Sequence, residues 1–411
     1  MLINFCLKRF KIYCFKIRIV MKILWVNPSF LDYRVPVYKK LNELTNGNFF
    51  LIYSTKRVPE RVIRKITKEI GANAIGLRNE AILRIPGTAE FEESNVRLPY
   101  QPGLYKAVSG IDADIIIGEG FFQWTPVALL RAKMTGKKFL LAYERTSHTE
   151  RSTPKWRTFY RRVISRFVDG YSVNGKLTKE YLSDIGIEKH LIFQGGMSAD
   201  SENLIKDLRS YTPFDRAILK DALSIESGLT FLYVGQIIQR KGVIYLLNAW
   251  KRHLVTFPKD NLLIVGTGPL YEDYKMEFSN FESIKLLGAV DYDLIYKYYA
   301  ISDVFIIPTL EDNWSLVVPE AMACGLPIAC SIYNGCYPEL VQEDRNGKLF
   351  DPLNEESILD CLKYFHNSNL QMMGEESIKI ESDFDAEQVS RKIYSSAECL
   401  LGNVPRLVSN Q

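Results

Sequence analysis

Short apolar runs that read as strands alternate with helix-periodic stretches along most of this 411-residue chain. That alternation restricts the chain to α/β architectures built on parallel sheets. The runs form two series. The first predicts strands at residues 23–26, 49–53, 114–118, 139–143 and 171–173, with helices at 35–44, 126–134 and 156–167. The second predicts strands at 231–234, 262–265, 284–287, 304–307 and 328–329. Residues 304–307 are apolar throughout, as a strand covered on both faces must be. Between the series, residues 198–228 are polar and charged and carry no strand pattern. The expected organisation is a first domain at 21–205, a linker at 206–228, a second domain at 229–380 and a terminal segment at 381–411. The helical pattern at 386–401 has no strand after it. Each domain is long enough to bury its own core.

The bulk composition excludes several classes. A hydrophobic share of 47% and a charged share of 24% are those of a globular protein. A net charge of +4 is too mild to indicate a nucleic-acid binder. The seven cysteines (Cys6, Cys14, Cys324, Cys330, Cys336, Cys361 and Cys399) include no C-x-x-C pair, and their number is odd. A reduced, cytoplasmic protein is expected. Four histidines and no paired Cys/His ligands argue against a structural zinc site. No apolar segment is long enough to span a bilayer. Residues 1–20 are apolar and aromatic but are interrupted by Lys8, Arg9, Lys11, Lys16 and Arg18, which break any signal-peptide core. Met21 leads straight into the first strand, so 1–20 read as an extension upstream of the true start. The functional alternative is a basic segment on a membrane surface.

The densest chemistry lies at residues 309–327, where a buried strand gives way to a helix expected to begin near Ser315. Asp312 and Glu320 stand eight positions apart across this junction. A helix N-terminus offers free N–H groups and partial positive charge to a phosphate. Eight helical residues span about 12 Å, so two carboxylates at that separation suit the two ends of a nucleotide-sugar diphosphate.

This stretch resembles the acidic E-x7-E signature of retaining glycosyltransferases of the GT-B fold, and within those it is similar to glycosyltransferase family 4. The resemblance extends back to residues 231–242 and 264–269 and forward to 334–340, covering about 230–352. It implies two Rossmann-like domains with parallel sheets facing a central cleft. It also implies that Glu320 binds the ribose hydroxyls of the donor. Asp312 replaces the family's usual first Glu and would contact the transferred sugar, with the adjacent Glu311 as the competing candidate. N–H groups at Asn313, Trp314, Ser315 and Leu316 would hold the diphosphate or the sugar. Ser315 stands where the family usually has Gly. Lys241 matches the lysine that neutralises the diphosphate. The usual Arg after Gly235 is Gln236 here, and Arg240 is the candidate second cation. Gly266 to Pro269 allow a close backbone approach through Gly268. They are not a dinucleotide fingerprint, because Tyr271 occupies the third glycine position.

On the first domain, residues 143–148 follow a strand and so lie at the carboxyl edge, where α/β ligands bind. His148 or Glu144 would face the donor sugar. Tyr33 and Arg34, in the first strand-to-helix loop, are acceptor-side candidates. Trp156, Tyr160, Val163 and Phe167 recur at helical spacing among Lys155, Arg157, Arg161, Arg162 and Arg166. Such a helix either packs on the core with snorkelling arginines or lies on anionic lipid. The expected partners are a nucleotide-sugar donor and a glycan or lipid-linked acceptor, with possible contact at the inner face of the membrane. Neither a cofactor nor a metal is expected. A nucleotide-sugar epimerase and a non-catalytic nucleotide-sugar-binding partner are the competing classes.

Overall fold

The computed structural model describes residues 20–85 and 96–403. Apart from Val20, the expected extension at 1–20 lies outside the described residues. Among the described residues, nine strands belong to the first half: β1 (Ile23–Val26), β2 (Phe49–Ser54), β3 (Ala74–Leu77), β4 (Ala81–Ile85), β5 (Val96–Tyr100), β6 (Ile115–Glu119), β7 (Lys138–Tyr143), β8 (Gly170–Val173) and β9 (Ile192–Gln194). Six belong to the second: β10 (Thr230–Val234), β11 (Asn261–Val265), β12 (Ile284–Gly288), β13 (Val304–Ile307), β14 (Ile328–Ser331) and β15 (Gly347–Phe350). The first sheet runs β3-β2-β1-β6-β7-β8-β9 and the second β12-β11-β10-β13-β14-β15. Every pairing within the two sheets is parallel, while β4 and β5 form a separate antiparallel hairpin.

Strand order reverses direction between β1 and β6 and again between β10 and β13. Helices diverge to opposite faces at such a switch and leave a crevice beyond the strands' carboxyl ends. Ile23 pairs with both Phe49 and Ile115, and Phe231 pairs with both Leu262 and Val304, so each switch flanks an interior strand of its sheet.

The central strands follow the expected positions closely. The sequence pattern did not show β3, β9, β15 or the hairpin. β3 and β15 are sheet edges of mixed exposure, Ala-Ile-Gly-Leu and Gly-Lys-Leu-Phe. An edge strand needs no continuous apolar run, so the periodicity signal fades there. The polar stretch after Ser198 folds as two helices, Ser201–Ser210 and Pro213–Ala222. Thr212 and Asp215 form a capping box at the second, with Asp215 N–H donating to Thr212 Oγ1 at 3.2 Å and Thr212 N–H donating back to Asp215 Oδ2 at 3.0 Å.

The last helix, Ala386–Leu400, packs against Arg34–Leu44 of the first domain. Val389, Ile393, Ala397 and Leu400 join Val37, Tyr38 and Leu41 in one buried cluster. Ser390 Oγ donates to Val37 O at 3.1 Å. Truncating Ile393 to Ala removes a fully packed side chain and is expected to cost about 2–4 kcal/mol, read as a lower midpoint in urea unfolding.

The helix Lys155–Ser165 departs from the expected pattern. Tyr160 and Ile164 pack inward on the core, whereas Trp156 and Phe167 are exposed. The four residues at helical spacing therefore do not share one buried face. Among the described residues no helix is long and apolar enough to cross a membrane.

Candidate active site

Lys241 and Asp312 approach each other from the carboxyl ends of paired strands. Lys241 ends a short 3-10 turn, Gln239–Lys241, after β10. Gly242 follows at φ +65°, and a Cβ there would lie 2.1 Å from Pro308 O. Only glycine lets this loop and the loop after β13 pack backbone against backbone. The Lys241 ammonium and Asp312 Oδ2 then form an ion pair, with side chains 13% and 14% exposed. Asp312 Oδ1 also accepts the Trp314 N–H at 3.1 Å. Burial alone would raise the Asp312 carboxyl, but the Lys241 charge overrides it and holds the group below its ordinary value.

Glu311 turns the other way. It is buried and accepts Arg151 Nη1 from the first domain at 2.8 Å. Of the two neighbouring acids, Asp312 meets the cation and Glu311 ties the domains together. Arg240 braces this loop: its Nη1 donates to Glu311 O at 3.3 Å and its carbonyl accepts Leu310 N–H at 2.8 Å.

Glu320 is the fourth residue of the helix Val317–Ala323, which opens two residues later than expected. Its carboxylate is almost wholly buried. Oε1 accepts Tyr292 OH at 3.1 Å and Oε2 accepts Tyr299 OH at 3.0 Å. Burial pushes this carboxyl up to about 7, against the two phenols that favour its ionised form. Neither tyrosine was singled out from the sequence. They lie 28 and 21 positions upstream, and no local pattern links them to Glu320.

The four residues expected to offer N–H groups are not equivalent. Trp314 N–H is taken by Asp312, and its ring is buried against Phe384 at 5.9 Å. Ser315 is buried, while Asn313 and Leu316 are half-buried. Around β10 and β11, Gly235 N–H donates to Val265 O at 3.0 Å, and Gln236 is exposed, its carbonyl accepting Tyr233 OH at 2.9 Å. A Cβ on Gly268 would sit 2.3 Å from Ile237 O, so this glycine keeps the two strand-end loops in contact.

The first domain presents a second acidic pair. Glu119, at the end of β6, accepts Arg34 Nη2 at 3.2 Å and Trp25 Nε1 at 3.0 Å. Arg34, expected on the acceptor side, is thus buried and paired within its own domain. Glu144, directly after β7, is half-buried. Burial first, then repulsion from Glu119 and Asp312, push its carboxyl up to about 7, with Arg34 opposing. Glu144 belongs to the first domain and Asp312 to the second, and each follows directly or closely on a strand of its own sheet. His148 Nε2 lies 2.8 Å from Leu310 O. A carbonyl only accepts, so this nitrogen carries the proton. The ring stacks on Tyr333 at 4.8 Å. His148 therefore sits in the domain contact beside Arg151–Glu311, and the Lys176 N–H donated to Glu339 is a further bond between the two domains.

One group of metal-type side chains occurs among the described residues: His253, Asp260 and His366. Asp260 precedes β11, at the opposite edge of the sheet from the cleft. Both Nε2 atoms lie 2.7 Å from the same oxygen, Asp260 Oδ2. That is hydrogen-bond spacing, and it braces the ends of helices Val243–Thr256 and Glu355–His366.

Residues 228–367 match the family model described as "Glycosyl transferases group 1". This chain carries a glycosyl transferases group 1 domain. Lys241, Asp312 and Glu320 all lie within the matched residues. Over 131 residues the chain is 30% identical to sulfoquinovosyl transferase SQD2 of Arabidopsis thaliana, covering 32% of this chain and 24% of that one. It spans 24% to 49% of the length of the first curated relatives it matches. Among solved structures, a glycosyltransferase from Rickettsia africae superposes with a TM-score of 0.70 at 16% identity, over 93% of this chain and 99% of that one. HepE of Anabaena, solved with UDP and glucose, superposes at 0.68 and 16% identity, over 93% and 100%. The group 1 domain and its partner domain together have the GT-B fold.

Proposed function

We propose that this chain is a retaining glycosyltransferase of family 4. It moves a hexose-type sugar from a nucleotide diphosphate sugar to a glycan or lipid-linked acceptor, in cell-surface polysaccharide or lipopolysaccharide synthesis at the inner face of the membrane. The observation that carries the reading is the Lys241–Asp312 ion pair at the switch point of the second sheet. The group 1 match and the UDP and glucose bound by HepE support it.

In this reading the donor lies mainly on the second domain. Glu320 accepts the ribose hydroxyls, sharing its lone pairs with Tyr292 and Tyr299 or displacing them. The Lys241 ammonium has three protons, so it can hold Asp312 and still donate to the diphosphate. Its charge stabilises the leaving group as negative charge builds there. Asp312 and Glu144 position the sugar from opposite walls, and His148 fixes the wall that carries Glu144. The acceptor hydroxyl attacks from the leaving-group side. Its proton passes to a diphosphate oxygen, so the step needs neither a dedicated base nor a cofactor.

The test is thermal unfolding with UDP, GDP, dTDP and NAD. A ligand at a hundred times its dissociation constant stabilises by about 2.7 kcal/mol. One nucleoside diphosphate is expected to raise the midpoint, and Glu320→Ala is expected to abolish the shift. A shift with NAD alone, or with none of the four, would overturn the reading.

A further inference from the structure

Helix Lys155–Ser165 and the residues just beyond it carry an outer face that the folded chain leaves uncovered. Trp156 is 50% exposed, Phe159 69% and Phe167 52%. Lys155, Arg162 and Arg166 are exposed among them. Residues 151–167 contain six Lys and Arg and no Asp or Glu. A soluble surface seldom groups large aromatics this way.

The inner side of the same helix is rigidly held. Tyr160 stacks on Phe122 at 4.9 Å. Arg161, buried, pairs with Glu150 at 2.6 Å and donates to Tyr181 OH at 2.8 Å. The helix therefore cannot roll to hide its aromatics. It is also tied to the active site, because Arg151, four residues before it, pairs with Glu311 at the cleft.

We propose that this face docks on a bilayer containing anionic phospholipid, with Trp156, Phe159 and Phe167 in the interface and Lys155, Arg162 and Arg166 against the headgroups. Aromatics seat an amphipathic helix at the boundary between headgroups and acyl chains, and cations draw it to negative lipid. A docked helix holds the cleft mouth next to the membrane, within reach of a lipid-linked acceptor. That last step rests on the proposed activity, but vesicle binding does not. The two fail separately, since binding is measured without turnover and nucleotide stabilisation without vesicles.

The experiment is co-sedimentation of the full chain with vesicles of phosphatidylcholine, alone or mixed with phosphatidylglycerol. The expected result is binding to the mixed vesicles only, weakened by salt. Trp156→Ser with Phe159→Ser should weaken it at least about tenfold. Arg162→Glu with Arg166→Glu should weaken it more than about tenfold, since each position changes sign. All four positions are exposed, so unaltered thermal unfolding and nucleotide stabilisation will show that the variants remain folded. Failure of the unaltered chain to sediment with mixed vesicles would overturn the proposal. So would equal binding to phosphatidylcholine alone. Undiminished binding of both variants would assign the membrane contact to another segment, residues 1–20 included, and would also overturn it.

Discussion

Lys241→Ala is expected to lower kcat for sugar transfer by about 10²–10³-fold, with a much smaller change in donor KM. The asymmetry follows from where the charge develops. In the bound donor the diphosphate charge is shared with the sugar linkage, and in the transition state it gathers on the departing nucleotide. An interaction that strengthens along this path acts on kcat. The Lys241 side chain is only 13% exposed, so its charge acts with little screening by solvent. Its loss also frees the Asp312 carboxyl from its main cation. Burial then dominates, and the carboxyl moves up. The variant should lose further activity as pH falls through the range where Asp312 now takes a proton. Lys241→Arg should not restore the rate, because a planar guanidinium cannot occupy the compact position of the ammonium against Asp312 and a phosphate together. Transfer or slow donor hydrolysis, followed by release of the nucleoside diphosphate, measures this. A kcat within about threefold of the unaltered protein would remove Lys241 from the chemistry.

The core of each domain was readable because central parallel strands must be apolar on both faces, as residues 23–26 and 304–307 are. The cleft elements were readable for a related reason. The loops after β10 and β13 carry their polar residues immediately after apolar runs, so the sheet delivers them to its carboxyl edge. What could not be read were choices settled by contacts across the chain. Asp312 and Glu311 are adjacent acids, and nothing local says which faces Lys241. The decision rests on Arg151, 160 positions away, which takes Glu311. Arg34 looked available in a strand-to-helix loop until Glu119, 85 positions on, was placed beside it. His148 looked like a residue of the open cleft but is held by Leu310 O, 162 positions away. The helix at Lys155–Ser165 shows the same limit in its periodicity. Spacing identified one amphipathic stripe, whereas packing split it, with Tyr160 turned inward and Trp156 and Phe167 outward.

Glu320→Gln is expected to separate stability from binding. In the unliganded protein, burial raises the Glu320 carboxyl from 4.5 to about 7. Between those values the native state keeps a proton that the unfolded chain has released. Stability therefore falls as pH rises through this window, by about 3 kcal/mol in total at about 1.4 kcal/mol per unit. Below pH 4.5 the cost is absent, and above pH 7 it is fully present. Glutamine stays neutral at every pH and keeps one carbonyl acceptor for a phenol, and its amide can donate to the other if that hydroxyl turns. The variant should match the unaltered protein near pH 4.5 and exceed it by about 2–3 kcal/mol at pH 8, a rise of roughly 4–12 °C in midpoint. Glu144, Glu339 and Glu381 are also pushed up to about 7. A single pH curve would blend all four groups, whereas the difference between the two proteins isolates Glu320. Calorimetry across pH 4.5–8 reads it directly, and a difference that stays flat with pH would sink the account. Nucleotide binding should move the opposite way. Ribose hydroxyls donate best to an ionised carboxylate, and losing a charged acceptor costs about 1.5–3 kcal/mol, or roughly 10–150-fold in affinity. The charge that costs the empty protein stability at neutral pH is then the charge that holds the donor, and one substitution removes both.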